Sequence, residues 1–121
     1  PNGAATMTRA LEAGEPVRLE QVSTIADGLA PPFVGHLNLA VARAHAERVL
    51  TVDDGVMRRA MHLLLERAKL LVEPSGAAAL GAILGGDLVL RPGARVVVVL
   101  SGGNVDIGRL GDLLGTTPCR S

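Results

Sequence analysis

The sequence predicts an α/β fold in which parallel strands are flanked by helices. Two observations carry this prediction. Residues 96–100 are all apolar and four of the five are β-branched, the composition of a strand buried on both faces. Around that run, segments with helical apolar spacing alternate with shorter extended ones, separated by Gly and Pro.

The elements follow in chain order. Residues 4–13 read as a short helix closed by Gly14 at its C-terminus. Residues 15–23 are polar and mixed, a loop with a brief extended piece. Residues 24–29 read as a turn in which Gly28 is free to take positive φ. Pro31 and Pro32 stop structure before a second helix, 34–47, with Leu37, Val41 and Ala44 on one face. Residues 48–52 form a strand candidate. Asp53 then caps a long third helix running through Leu71, in which Val56, Met57, Ala60, Met61, Leu64, Leu65 and Ala68 recur at helical spacing. Pro74 interrupts it, having no N–H to donate. Ser75 caps a fourth helix, 76–84, nearly all Ala, Gly and Leu and therefore buried and tightly packed. Residues 85–87 end it, and 91–93 form a surface turn. After the 96–100 strand, Val105 or Asp106 opens a last helix through Leu114. Residues 1–114 thus form the folded portion, and 115–121 a frayed tail. Two parallel strands alone cannot cover both faces and both edges. The pattern reads as part of a larger sheet, in keeping with a chain that begins at Pro1.

Composition narrows the partners. Twelve Lys and Arg balance twelve Asp and Glu, so electrostatics gives no ground for a nucleic acid or an anionic membrane. One Phe and no Trp or Tyr leave no platform for stacking bases. Cys119 is the only cysteine; an internal disulfide is excluded, and a reducing, cytoplasmic setting fits. No apolar stretch is long enough to span a bilayer. His36, His45 and His62 are not grouped with other metal ligands. Arg58, Arg59, Glu66 and Arg67 read as a solvated helix face with local ion pairs.

The chemistry concentrates where the 96–100 run enters Ser101-Gly102-Gly103-Asn104. Strands of this kind present their C-terminal ends to ligand crevices. The two glycines allow backbone to approach a flat or charged group closely, with a hydroxyl and an amide beside them. Taken alone, this turn is also an ordinary strand-to-helix connection, or an anion nest on a self-standing, non-catalytic α/β module.

Three segments in order, STIADGL (23–29), LLLERAKLLVEPSG (63–76) and VVVLSGGNVD (97–106), resemble the threonine dehydratase and serine racemase family. These are pyridoxal-phosphate enzymes of the tryptophan synthase β fold (fold type II), and the resemblance covers the C-terminal part of their catalytic domain, residues 1–106. It implies a role for each matching position. Ser101 is the hydroxyl that meets the pyridine nitrogen, and a neutral partner there does not hold the ring protonated as a carboxylate would. That favours prompt β-elimination over transamination. Gly102 and Gly103 let the chain lie close to the ring, and Asn104 fixes the turn or approaches neighbouring groups of the cofactor. Glu73 lies near the ring, and Asp27 and Gly28 run along the cofactor and substrate side. The resemblance also implies a divalent or monovalent cation in some members. Here Pro1-Asn2-Gly3-Ala4 matches, and the backbone carbonyl of Ala4 is the ligand this chain would supply, Thr6 standing at the later carboxylate position.

The family's cofactor-bearing lysine, Asn-rich substrate loop and phosphate-cradling glycine loop have no counterpart in these residues. Lys69, the only lysine, lies in the third apolar-periodic helix. The implied parent is a homo-oligomeric enzyme acting on a small amino acid. It deaminates L-threonine or L-serine to a 2-oxo acid and ammonia, with serine racemisation or dehydration of a related hydroxy amino acid as the alternative. The chain by itself is expected to be inactive, one wall of an active site.

Overall fold

The computed structural model describes residues 1–115. A 3₁₀ turn, Asn2–Ala4, leads into α1, Thr6–Ala13. Gly14 ends α1 as expected, at φ 79° with its N–H donated to the Ala10 carbonyl. Thr6 is buried and its hydroxyl donates to the Pro31 carbonyl at 2.9 Å, tying α1 to the proline pair. The brief extended piece is one isolated antiparallel bridge, Arg18 to Phe33.

Helix α2, His36–His45, is shorter than the predicted 34–47 and turns a different face inward. It buries Leu39, whereas Leu37 is 76% exposed and Val41 is also exposed. Spacing locates an apolar stripe but does not say whether a neighbour covers it. Arg43 donates from Nη1 to the Gly14 carbonyl at 3.0 Å, joining α2 to the end of α1.

Asp53 caps α3, Asp54–Leu63, accepting the Gly55 N–H at 2.7 Å. The helix does not run to Leu71. It widens into a π turn, Leu64–Ala68, and stops at Lys69, which takes the left-handed conformation at φ 59°. Lys69 therefore ends the helix rather than sitting within it. The early stop lets Val72 turn back into the core beside Ala60, Met61, Leu64 and Ala77.

Helix α4, Pro74–Gly85, begins earlier than predicted. Pro74 occupies the first turn, where its missing N–H costs nothing. Glu73 stands at the N-cap position, no side chain caps the helix, and Ser75 lies inside the first turn instead of capping it. Gly86 closes the helix at φ 82°. Near the end, Asp106 accepts the Gly108 N–H at 2.8 Å and starts a 3₁₀ turn, Ile107–Arg109, that runs into α5, Leu110–Leu114.

Helices α3 and α4 are the principal packed pair. A second cluster, Ala26, Val52, Met57 and Ala82, continues the core toward the N-terminal half. Met57 is fully buried, and Gly81 faces it and Val52, where an added Cβ would lie 3.1 Å from Val52 Cγ1. Arg58, expected on a solvated face, instead donates from Nη1 to the Asp112 and Leu113 carbonyls, each at 2.5 Å, and holds α5 against α3. Glu66 does make the local ion pair, with Arg67 at 3.7 Å.

The parallel strands are not found. Among the described residues, neither 48–52 nor 96–100 joins a ladder. Valine favours strands by packing on a pleated neighbour, not by fixing the backbone alone, and the single Asn2 N–H bonded to the Val52 carbonyl at 3.0 Å builds no ladder. Val97 is 90% and Val99 70% exposed, so one face of the 96–100 run is open where burial on both was predicted, while Leu100 packs against the core. In the predicted tail, Gly115 takes φ 73°; residues 116–121, Cys119 included, lie outside the described residues.

Candidate functional site

Residues 101–104 fold back onto the start of α4. The Glu73 N–H donates to the Gly102 carbonyl at 3.0 Å. A Cβ on Gly102 would strike the Glu73 carboxylate, and one on Gly76 would lie 2.7 Å from the Gly102 carbonyl oxygen. At Gly76 the obstacle is backbone, so glycine is needed there for closeness; at Gly102 it is the end of the Glu73 side chain, which can swing aside. Gly103 similarly rests against the Leu71 carbonyl.

Beside this contact lies a cleft of about 320 Å³. Asp27, Gly28, Glu73 and Asn104 line it together, although the first two lie far from the last two in the chain. Gly28 begins no left-handed turn: its φ is not positive, contrary to expectation. It lies in a 3₁₀ turn, Asp27–Leu29, and faces Ser75, whose Oγ would be 2.9 Å from an added Cβ. Ser101 and Gly103 are exposed and do not line the cleft.

Ser75, Asp106 and Arg109 also line it and were not singled out as site residues. Ser75 and Asp106 carried local capping signals, and Arg109 carried no motif at all. The lining sets three carboxylates, Asp27, Glu73 and Asp106, against one guanidinium. This suits an amine-bearing ligand end. It does not suit a dianionic phosphate, which needs converging N–H donors and positive charge.

Ala4 is buried and lines a separate cavity of about 450 Å³ that shares Gly28 with the cleft. Its lining contains no carboxylate, whereas a hard cation gathers several oxygen ligands. Among the described residues, no three His, Cys, Asp or Glu are grouped to hold a metal. Nor is any described helix long and apolar enough to cross a membrane.

The cleft lies at the start of α4, where that helix packs on the 101–104 turn. The family profile described as "Pyridoxal-phosphate dependent enzyme" matches residues 1–102, and the chain belongs to that family, whose cofactor is pyridoxal phosphate. It is 40% identical over 116 residues to a biosynthetic L-threonine dehydratase of Mycobacterium tuberculosis, covering 94% of this chain and 27% of the relative. It is 36% identical over 115 residues to a phenylserine dehydratase of Ralstonia pickettii, covering 95% and 35%. Among solved structures, maize serine racemase superposes with a TM-score of 0.82 at 36% identity, over 93% of this chain and 36% of that one. The chain spans about a third of the length of these relatives.

Proposed function

We propose that this chain is one wall of the active site of an enzyme that deaminates L-threonine or L-serine by β-elimination, releasing a 2-oxo acid and ammonia. The observation that supports this reading is the interlock of Glu73 with Gly102, beside a cleft shared by Asp27, Gly28 and Asn104. Bound pyridoxal phosphate supplies the electron sink for bonds at the amino acid's α-carbon.

This chain's residues orient and tune. By the family resemblance, the Ser101 hydroxyl would be the neutral partner of the ring nitrogen, and Gly102 and Gly103 would let backbone approach the ring edge, on the side of the turn away from the cleft. Glu73, half-buried behind Gly102, fixes the depth of the turn and offers a carboxylate at the ring side. Asn104 holds the turn's exit. Asp27 and Gly28 border the substrate side, where a carboxylate favours the incoming ammonium group. The phosphate end is held by residues outside this cleft.

The test uses the whole PLP-loaded protein with L-threonine and L-serine. Release of 2-oxo acid and ammonia is expected. Ser101→Asp should lower elimination about tenfold or more and raise side transamination, because a carboxylate keeps the ring nitrogen protonated. Unchanged product ratios would overturn the Ser101 assignment. Serine racemisation is the second reading, favoured by the likeness to maize serine racemase; chiral analysis of unreacted serine separates the two.

A further inference from the structure

Asp53 and Asp54 stand side by side at the start of α3, and only the first caps the helix. Asp54 is half-buried and reaches across the fold. Its Oδ1 accepts the Thr24 hydroxyl at 2.6 Å, and its Oδ2 accepts the Ile25 N–H at 2.9 Å. The same Thr24 hydroxyl oxygen accepts the Ala26 N–H at 3.1 Å. One carboxylate thus grips two consecutive residues about thirty positions away. Bonds to an ionised acceptor are about twice as strong as neutral ones, and the start of a helix favours the negative charge.

The gripped residues lead directly into the cleft. Ile25 lines it, Ala26 is fully buried in the core, and Asp27 and Gly28 follow at its border. The 3₁₀ turn that presents Asp27 starts from that anchored point, with the Leu29 N–H donated to the Ala26 carbonyl at 2.9 Å.

We propose that Asp54 is a positioning residue for the substrate side of the site, holding Thr24 and Ile25 so that Asp27 and Gly28 stand at a fixed height in the cleft. The proposal rests on the reading of the cleft as an amino-acid site. Asp54 does not itself line the cleft, so its loss should be felt through Asp27 and Gly28, in substrate binding more than in cofactor retention.

The experiment compares Asp54→Ala, the shape-preserving Asp54→Asn, and the neighbouring Asp53→Ala in the whole holoenzyme. Thr24→Val and Thr24→Ser are made alongside. Asp54→Ala should raise the amino-acid KM about tenfold with kcat within about twofold, and leave the bound cofactor's visible absorbance in place. Asp54→Asn keeps one acceptor oxygen and loses the charge, so it should raise KM less, in the same direction. In Asp54→Ala, amide hydrogen exchange should quicken about tenfold at Ile25, whose acceptor has gone. Thr24→Val should follow Asp54→Ala, and Thr24→Ser, which keeps the hydroxyl, should behave as wild type. Asp53→Ala should lower the melting temperature without moving KM or Ile25 exchange. The proposal is overturned if the Asp54 variants keep the wild-type KM, if Ile25 exchange is unchanged, or if Asp53→Ala raises KM equally. A wild-type holoenzyme without turnover of any hydroxy amino acid overturns the underlying reading as well, so the two failures are distinct.

Discussion

Lys69 holds a conformation that a side chain disfavours. At φ 59° it alone, among the described non-glycine residues, lies in the left-handed region, at a cost of about 1–2 kcal/mol. Local bonds offset part of this: its Nζ donates to the Glu66 carbonyl at 2.6 Å, and the Leu70 N–H to the Leu64 carbonyl at 3.1 Å. Lys69→Gly should therefore stabilise the fold by about 0.5–1 kcal/mol. A melting temperature that falls would show the local bonds to outweigh the strain. A lysine beside a helical apolar pattern gives no warning of this conformation, which is why the end of α3 was misread. Ser75 does not cap α4, whereas Asp106 does open the last helical stretch as expected. Each carries a capping signal, and only the folded neighbourhood shows that both also face the cleft.

The helices were legible where a cap or stop is written locally. Gly14, Asp53 and Gly86 mark ends that the structure keeps. The 96–100 run was not, because a strand exists through bonds to a neighbour and its own residues state only a preference. The site divides in the same way. Asp27, Gly28, Glu73 and Asn104 came from a family resemblance, and the structure gathers those four. The grip of Asp54 on Thr24 and Ile25 joins distant segments and leaves no periodic trace. Packing of α3 on α4 depends on Met57, which is fully buried between Val52, Ala82 and Gly81. Met57→Ala should cost about 2–5 kcal/mol, measured by denaturant unfolding of the whole protein. A cost below about 1 kcal/mol would mean that the surrounding residues collapse into the space.

Across the molecule, Val89, Val97, Val99 and Ile107 are all more than two-thirds exposed, as is Leu37 on α2, while the α3–α4 core is closed. Apolar exposure on this scale marks surface that another structure covers. The chain spans about a third of its relatives' length, so the rest of such a domain is the natural cover. In isolation the chain should bind a hydrophobic reporter dye and unfold over a broad transition. A sharp two-state transition without dye binding would point to a self-sufficient module.

Gly76 and Gly102 are constrained in different ways. A side chain at Gly76 meets the backbone of Gly102, which every residue at 102 carries, whereas one at Gly102 meets the Glu73 carboxylate. Under mutation and selection Gly76 therefore stands alone, and no replacement at 102 makes room for a side chain there. Positions 73 and 102, by contrast, are not independent characters: a shorter residue at 73 widens what 102 can accept.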